Sequence, residues 1–78
     1  MVTAMLNKFI GNEIRVRRVL RGWAVESLAE ACRVDYRVVE GWEDGSLAVT
    51  AAELFVVAGA LGADLALFFP RVGGPLAA

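Results

Sequence analysis

Glycines at 11, 22, 45 and 62 divide this chain into segments the length of short helices. Glycine just past a helical run is the usual left-handed stop, because it lacks the Cβ that makes that conformation costly. No long stretch alternates apolar and polar residues, so strands have no signal. The first predicted helix carries Ile10 and Ile14 one turn apart and ends near Arg21. The second runs from about Val25 to Cys32, with Leu28 and Cys32 at i, i+4 and the small Ala29 beside Leu28. The third starts after Asp35, whose carboxylate suits an N-cap, and places Val39 and Trp42 on one face. The fourth opens with Thr50 and Glu53 at capping-box spacing and is apolar almost all round; the fifth, "DLALFF", is capped by Asp64. Five short helices with tight connections predict a small all-α domain over residues 10–69. Residues 1–9 read as an N-terminal extension, and 70–78, containing Pro70, Gly73, Gly74 and Pro75, as a flexible tail.

Function classes narrow by composition. One cysteine and no histidine leave no disulfide within the chain, no zinc cluster and no Cys–His pair for catalysis. No nucleophile–base pair and no glycine-rich phosphate loop is present, so neither an enzyme nor a metal or other cofactor is expected. The N-terminus lacks the pattern of a secretory signal, and the longest apolar region, Leu54 to Phe69, is broken by Gly62 and Asp64 and falls short of the roughly 20 residues of a membrane span. A cytoplasmic protein is expected. Its apolar fraction of 58% exceeds the roughly 45–50% usual for soluble domains, which implies a partner or a second copy. Charge is uneven: residues 1–39 hold seven Lys/Arg and four Asp/Glu, whereas residues 40–78 hold one and five. A nucleic-acid footprint therefore belongs in the first half.

Residues 25–44 satisfy the packing pattern of a helix-turn-helix: Leu28, Ala29, Cys32 and Val34 on the first helix and turn, then Val39 and Trp42 on the second. Together with "IGNEIRVRR" before it, "WEDG" closing the third helix and "ALGADLALFF" near the end, this stretch resembles the Cro/CI-type (XRE) helix-turn-helix regulators, over Ile10 to about Phe69. The resemblance implies a five-helix, lambda-repressor-like domain that binds double-stranded operator DNA as a homodimer, with the third helix in the major groove and repression as the expected outcome. It also implies an ion pair between Arg18 and Glu43. Arg18 shares the face of Ile14, so its charge calls for a partner in any case.

The positions that match the family's DNA contacts are Tyr36, Arg37 and Gly41, with Val38 and Glu40 nearby, Arg33 in the turn and Val25 at the start of the second helix. Arg37 has the fork for a guanine edge; Tyr36 suits a thymine methyl or a phosphate. Departures are plain. Ala24 and Val25 stand where the family has a polar cap and a glutamine for a phosphate, and Arg33 stands where it has glycine. Gly41, in a helix interior, suggests that something approaches the backbone closely. The arginines of the first helix, Arg15, Arg17 and Arg21, are candidates for backbone contacts, and Val16 and Val19 form a second apolar face there. Leu65, Leu67, Phe68 and Phe69 are expected at a two-fold dimer seam. The rival is a helix-turn-helix protein that works by binding another protein, as an antiactivator or antitoxin-like partner does.

Overall fold

The computed structural model describes residues 2–70, and the expected tail from residue 71 onward lies outside them. The chain folds as α1 (Val2–Leu20), α2 (Val25–Cys32), α3 (Tyr36–Asp44) and α4 (Ala51–Leu61), followed by one 3-10 turn over Leu65–Phe68. No strand occurs among the described residues. The fifth helix expected from "DLALFF" is thus only this turn. Asp64 starts it by accepting from the Ala66 N–H at 3.0 Å, but Phe69 is extended (φ −117°, ψ 142°). Pro70 follows, and a proline disfavours the helical region for the residue before it. Four residues are too few for an α-helical ladder.

The first helix is longer than its apolar signal. α1 begins at Val2, so most of the expected N-terminal extension is helical, and Leu6 packs against the core. Gly11 does not stop this helix; it lies buried within it. A Cβ at Gly11 would overlap the Trp42 carbonyl oxygen and come within 2.9 Å of the Glu43 oxygen, so the backbones of α1 and α3 are in contact there. Around that crossing, Ile10 and Ile14 of α1 join Leu28 and Ala29 of α2 and Val39 and Trp42 of α3. Leu54, Val57, Ala58 and Leu61 of α4, with Phe68, complete a single core.

Helix ends follow their local chemistry. Thr50 Oγ1 accepts from the Glu53 N–H at 3.1 Å while a Glu53 carboxylate oxygen accepts from the Thr50 N–H at 2.9 Å, which closes the capping box of α4. Gly45 and Gly62 end α3 and α4 at positive φ. At the end of α2 the same job falls to Arg33, at φ 60° and ψ 44°, with its N–H and that of Val34 donating to the Glu30 and Ala29 carbonyls. The turn is built as a glycine turn without the glycine. Arg33→Gly should therefore stabilise the fold by about 1 kcal/mol. Urea denaturation reads it, and an unchanged or lower midpoint would contradict the strain.

Candidate nucleic-acid interface

The α2–turn–α3 unit sets the geometry of the surface under test. Val39 and Trp42 point α3 into the core, which turns Tyr36, Arg37, Glu40 and Asp44 outward in one exposed row. Of the seven residues expected at DNA, Tyr36, Arg37, Glu40 and Arg33 are exposed. Val25 and Val38 are half-buried and pack against the core, which leaves each only an edge to offer. Gly41 is half-buried as well, and its close neighbour comes from the chain itself. Leu47 folds back so that its N–H donates to the Gly41 carbonyl at 3.0 Å, and a Cβ on Gly41 would come within 3.0 Å of the Leu47 Cβ.

Arg37 is not a free cation at the tip of this row. Its Nε donates to Asp35 Oδ1 at 3.0 Å and its Nη2 to Asp35 Oδ2 at 3.1 Å, while its backbone N–H donates to Oδ1 at 2.9 Å. One carboxylate thus caps α3 and grips the guanidinium. The Arg37 bonds hold the Asp35 carboxyl down at about 2, so it stays ionised at neutral pH. The guanidinium also stands 5.7 Å from the centre of the Tyr36 ring, within cation–π range.

A second arginine fixes the orientation of α3. Arg18 donates from Nε to Glu43 Oε2 at 2.7 Å and from Nη2 to Glu43 Oε1 at 2.9 Å, and its Nη1 donates to the Trp23 carbonyl at 2.7 Å. Both side chains are nearly buried, at 11% and 7% exposure. The fork joins α1, the loop after it and the C-terminal turn of α3. Hydrogen bonding to Glu43 raises the Arg18 pKa further, so the charge is permanent.

Each of the other α1 arginines lies against a group of the chain itself. Arg17 lies 3.5 Å from Glu13, one turn earlier, and Arg21 donates to the Leu61 carbonyl at 3.1 Å while standing over the Trp23 ring. Arg15 donates to Asn12 at 3.0 Å and lines a shallow depression with Glu40, Glu43 and Asp44. At the start of α2, Ala24 offers no side-chain cap and Glu26 sits in the first turn, so the usual anion seat there is poorly furnished. Across α2, the turn and α3, the exposed acids Glu26, Glu30, Asp35, Glu40 and Asp44 face two exposed arginines, Arg33 and Arg37.

Elsewhere the surface carries several exposed large apolar side chains. Leu65, Leu67 and Phe69 are exposed, whereas Phe68 is fully buried and cannot belong to a seam with a partner. It is part of the core, and the 3-10 turn that carries it packs against both α1 and α4. Val16 and Val19 are exposed on α1, as their spacing implies, and Leu20 joins them. Phe55, 71% exposed on α4, was not legible: a helix apolar on every side carries no sign of which face is outside. Cys32 is half-buried, and burial pushes its thiol pKa up, away from reactivity. Among the described residues, no group of three His, Cys, Asp or Glu side chains stands placed to hold a metal, and no helix is long and apolar enough to cross a membrane.

Neither a family model nor a curated protein matches this sequence. Among solved structures, the clp gene regulator ClgR from C. glutamicum matches with a TM-score of 0.78 and 33% sequence identity. The match covers 81% of this chain and 82% of that one, so it takes in nearly the whole described fold rather than an isolated helix pair. With the α2–turn–α3 geometry in place, this similarity shows that the chain belongs to the helix-turn-helix transcription regulators, the family of ClgR.

Proposed function

We propose that this chain is a sequence-specific regulator of the Cro/CI type that binds double-stranded operator DNA as a homodimer and acts as a repressor. The observation that carries this reading is the outward row Tyr36–Arg37–Glu40 on a helix whose pitch is locked by Arg18 and Glu43. Arg37 reads a guanine edge, Tyr36 contacts a thymine methyl or a phosphate, and Arg33 lies at the flanking backbone. Two copies join through Leu65, Leu67 and Phe69, without Phe68. Leu67→Asp should shift the species seen in sedimentation from dimer to monomer. An unchanged dimer would move the seam elsewhere.

Fluorescence anisotropy with duplex fragments flanking the protein's own gene tests the DNA reading. Arg37→Ala is expected to lose about 1–3 kcal/mol on the specific fragment and little on others. A variant that binds every fragment as well as the wild type would remove Arg37 from the readers.

The five-to-two excess of exposed acids over arginines on α2–turn–α3 favours a second reading, in which this face binds a basic surface of another protein. Wild-type protein that binds no duplex, yet captures a partner lost on Glu40→Lys, would establish it.

A further inference from the structure

We propose that Asp35 is a positioning residue for DNA recognition: its carboxylate holds the Arg37 guanidinium so that one edge is spent and the other is presented to a single guanine. The inference rests on the reading of α3 as the base-contacting helix and adds to it how Arg37 chooses a base over a phosphate.

The geometry divides the five guanidinium hydrogens cleanly. Asp35 takes the Nε–H and one hydrogen of Nη2, along the side edge of the plane. That leaves both hydrogens of Nη1 and the second of Nη2; one from each nitrogen makes the end-on fork that matches the N7 and O6 acceptors of guanine. Asp35 is itself pinned, because Oδ1 also accepts the Arg37 backbone N–H at the cap. One carboxylate therefore meets both the guanidinium and the first turn of the helix. The Tyr36 ring, 5.7 Å from Cζ, borders the same group.

Charge sharpens the choice. An unpaired arginine is drawn to any phosphate, and each such contact adds affinity without sequence preference. Paired with an ionised carboxylate, Arg37 brings little net charge to the backbone. What remains is directional hydrogen bonding, which only a correctly placed acceptor pair can satisfy. An exposed ion pair of this kind contributes little to stability, so its consequence belongs to recognition rather than folding.

The test uses the full chain and a duplex selected by the wild type from a randomised library. Each guanine of that duplex is replaced in turn by 7-deazaguanine, which keeps Watson–Crick pairing and removes only the N7 acceptor. At one guanine, the wild type should lose about tenfold in affinity, and Arg37→Ala should lose that sensitivity. Asp35→Ser keeps an oxygen to cap α3 but cannot grip the guanidinium. With its fold checked by thermal melting, it should show a penalty of about twofold at that guanine. It should also bind a scrambled duplex more tightly, with a salt dependence steeper by about one phosphate. Asp35→Asn, which retains one acceptor, should fall between. A folded Asp35→Ser variant that keeps the full 7-deazaguanine penalty overturns the role of Asp35 while leaving Arg37 as reader. A wild type with no salt-sensitive binding to any duplex overturns the underlying DNA reading, and the proposal with it.

Discussion

Replacing Gly11 by alanine is expected to destabilise the fold by about 3 kcal/mol, a large share of the stability of a domain this small. In an ordinary helix interior the same change stabilises by roughly 0.5–1 kcal/mol, because alanine loses less conformational freedom. Here the added methyl would overlap the Trp42 carbonyl and crowd that of Glu43, both belonging to the backbone of α3. Neither can swing aside as a flexible side chain would. The contact lies next to Ile10 and one turn before Ile14, so moving α3 outward opens the centre of the core. Gly59 supplies the control: it lies in α4, and a Cβ there meets nothing within 4 Å. Gly59→Ala should raise the urea midpoint where Gly11→Ala lowers it. Equal effects at the two sites would show that the α1–α3 crossing is looser than described.

The second large effect concerns the Arg18–Glu43 fork. Glu43→Ala should cost about 3 kcal/mol, because it strands a nearly buried guanidinium with only the Trp23 carbonyl to satisfy it. Arg18→Ala should cost a similar amount by stranding the carboxylate. Replacing both together, as Arg18→Met with Glu43→Leu, should recover most of the loss, since desolvating two charges offsets much of their attraction. A double-mutant cycle in urea with Arg18→Met, Glu43→Leu and the two together measures this, and additive single costs would mean that the pair does not act as a unit. Arg18→Lys is expected to fail as well, because an ammonium cannot span both carboxylate oxygens and the Trp23 carbonyl from one planar group. DNA affinity of the Met/Leu variant separates stability from pitch. If the fork matters for aiming α3, the variant will fold well and bind poorly.

How far the sequence carried depended on whether a residue's partner was near it in the chain. Asp35, Thr50 with Glu53, and Asp64 cap their elements through groups two or three residues away, and all three were readable from spacing. Leu28, Val39 and Trp42 were readable from periodicity, since each sits on a helix with a polar opposite face, and Ile14 from its one-turn spacing to Ile10. Three features escaped because their causes are distant. Gly11 looked like a stop because its reason lies on α3, thirty-odd residues away in sequence. Phe68 looked like part of a seam with Leu65, Leu67 and Phe69, yet docking of the 3-10 turn sends it alone inward. The outer face of α4 had no polar residues to mark it. At the candidate site the letters gave Arg37 as the proposed reader but not its tether: Asp35 was recognised as a cap, and the cap turned out to hold the arginine as well.

The central claim, that the outward row of α3 meets DNA, is tested most directly by following backbone amide signals of the 15N-labelled protein as a selected duplex is added. The largest shifts are expected at Tyr36, Arg37 and Glu40 and in the turn at Arg33, with the outer face of α4 around Phe55 unmoved and the shifts reversed by added salt. Shifts confined to α4, or no salt-reversible shift on α3 at any duplex concentration, would contradict it.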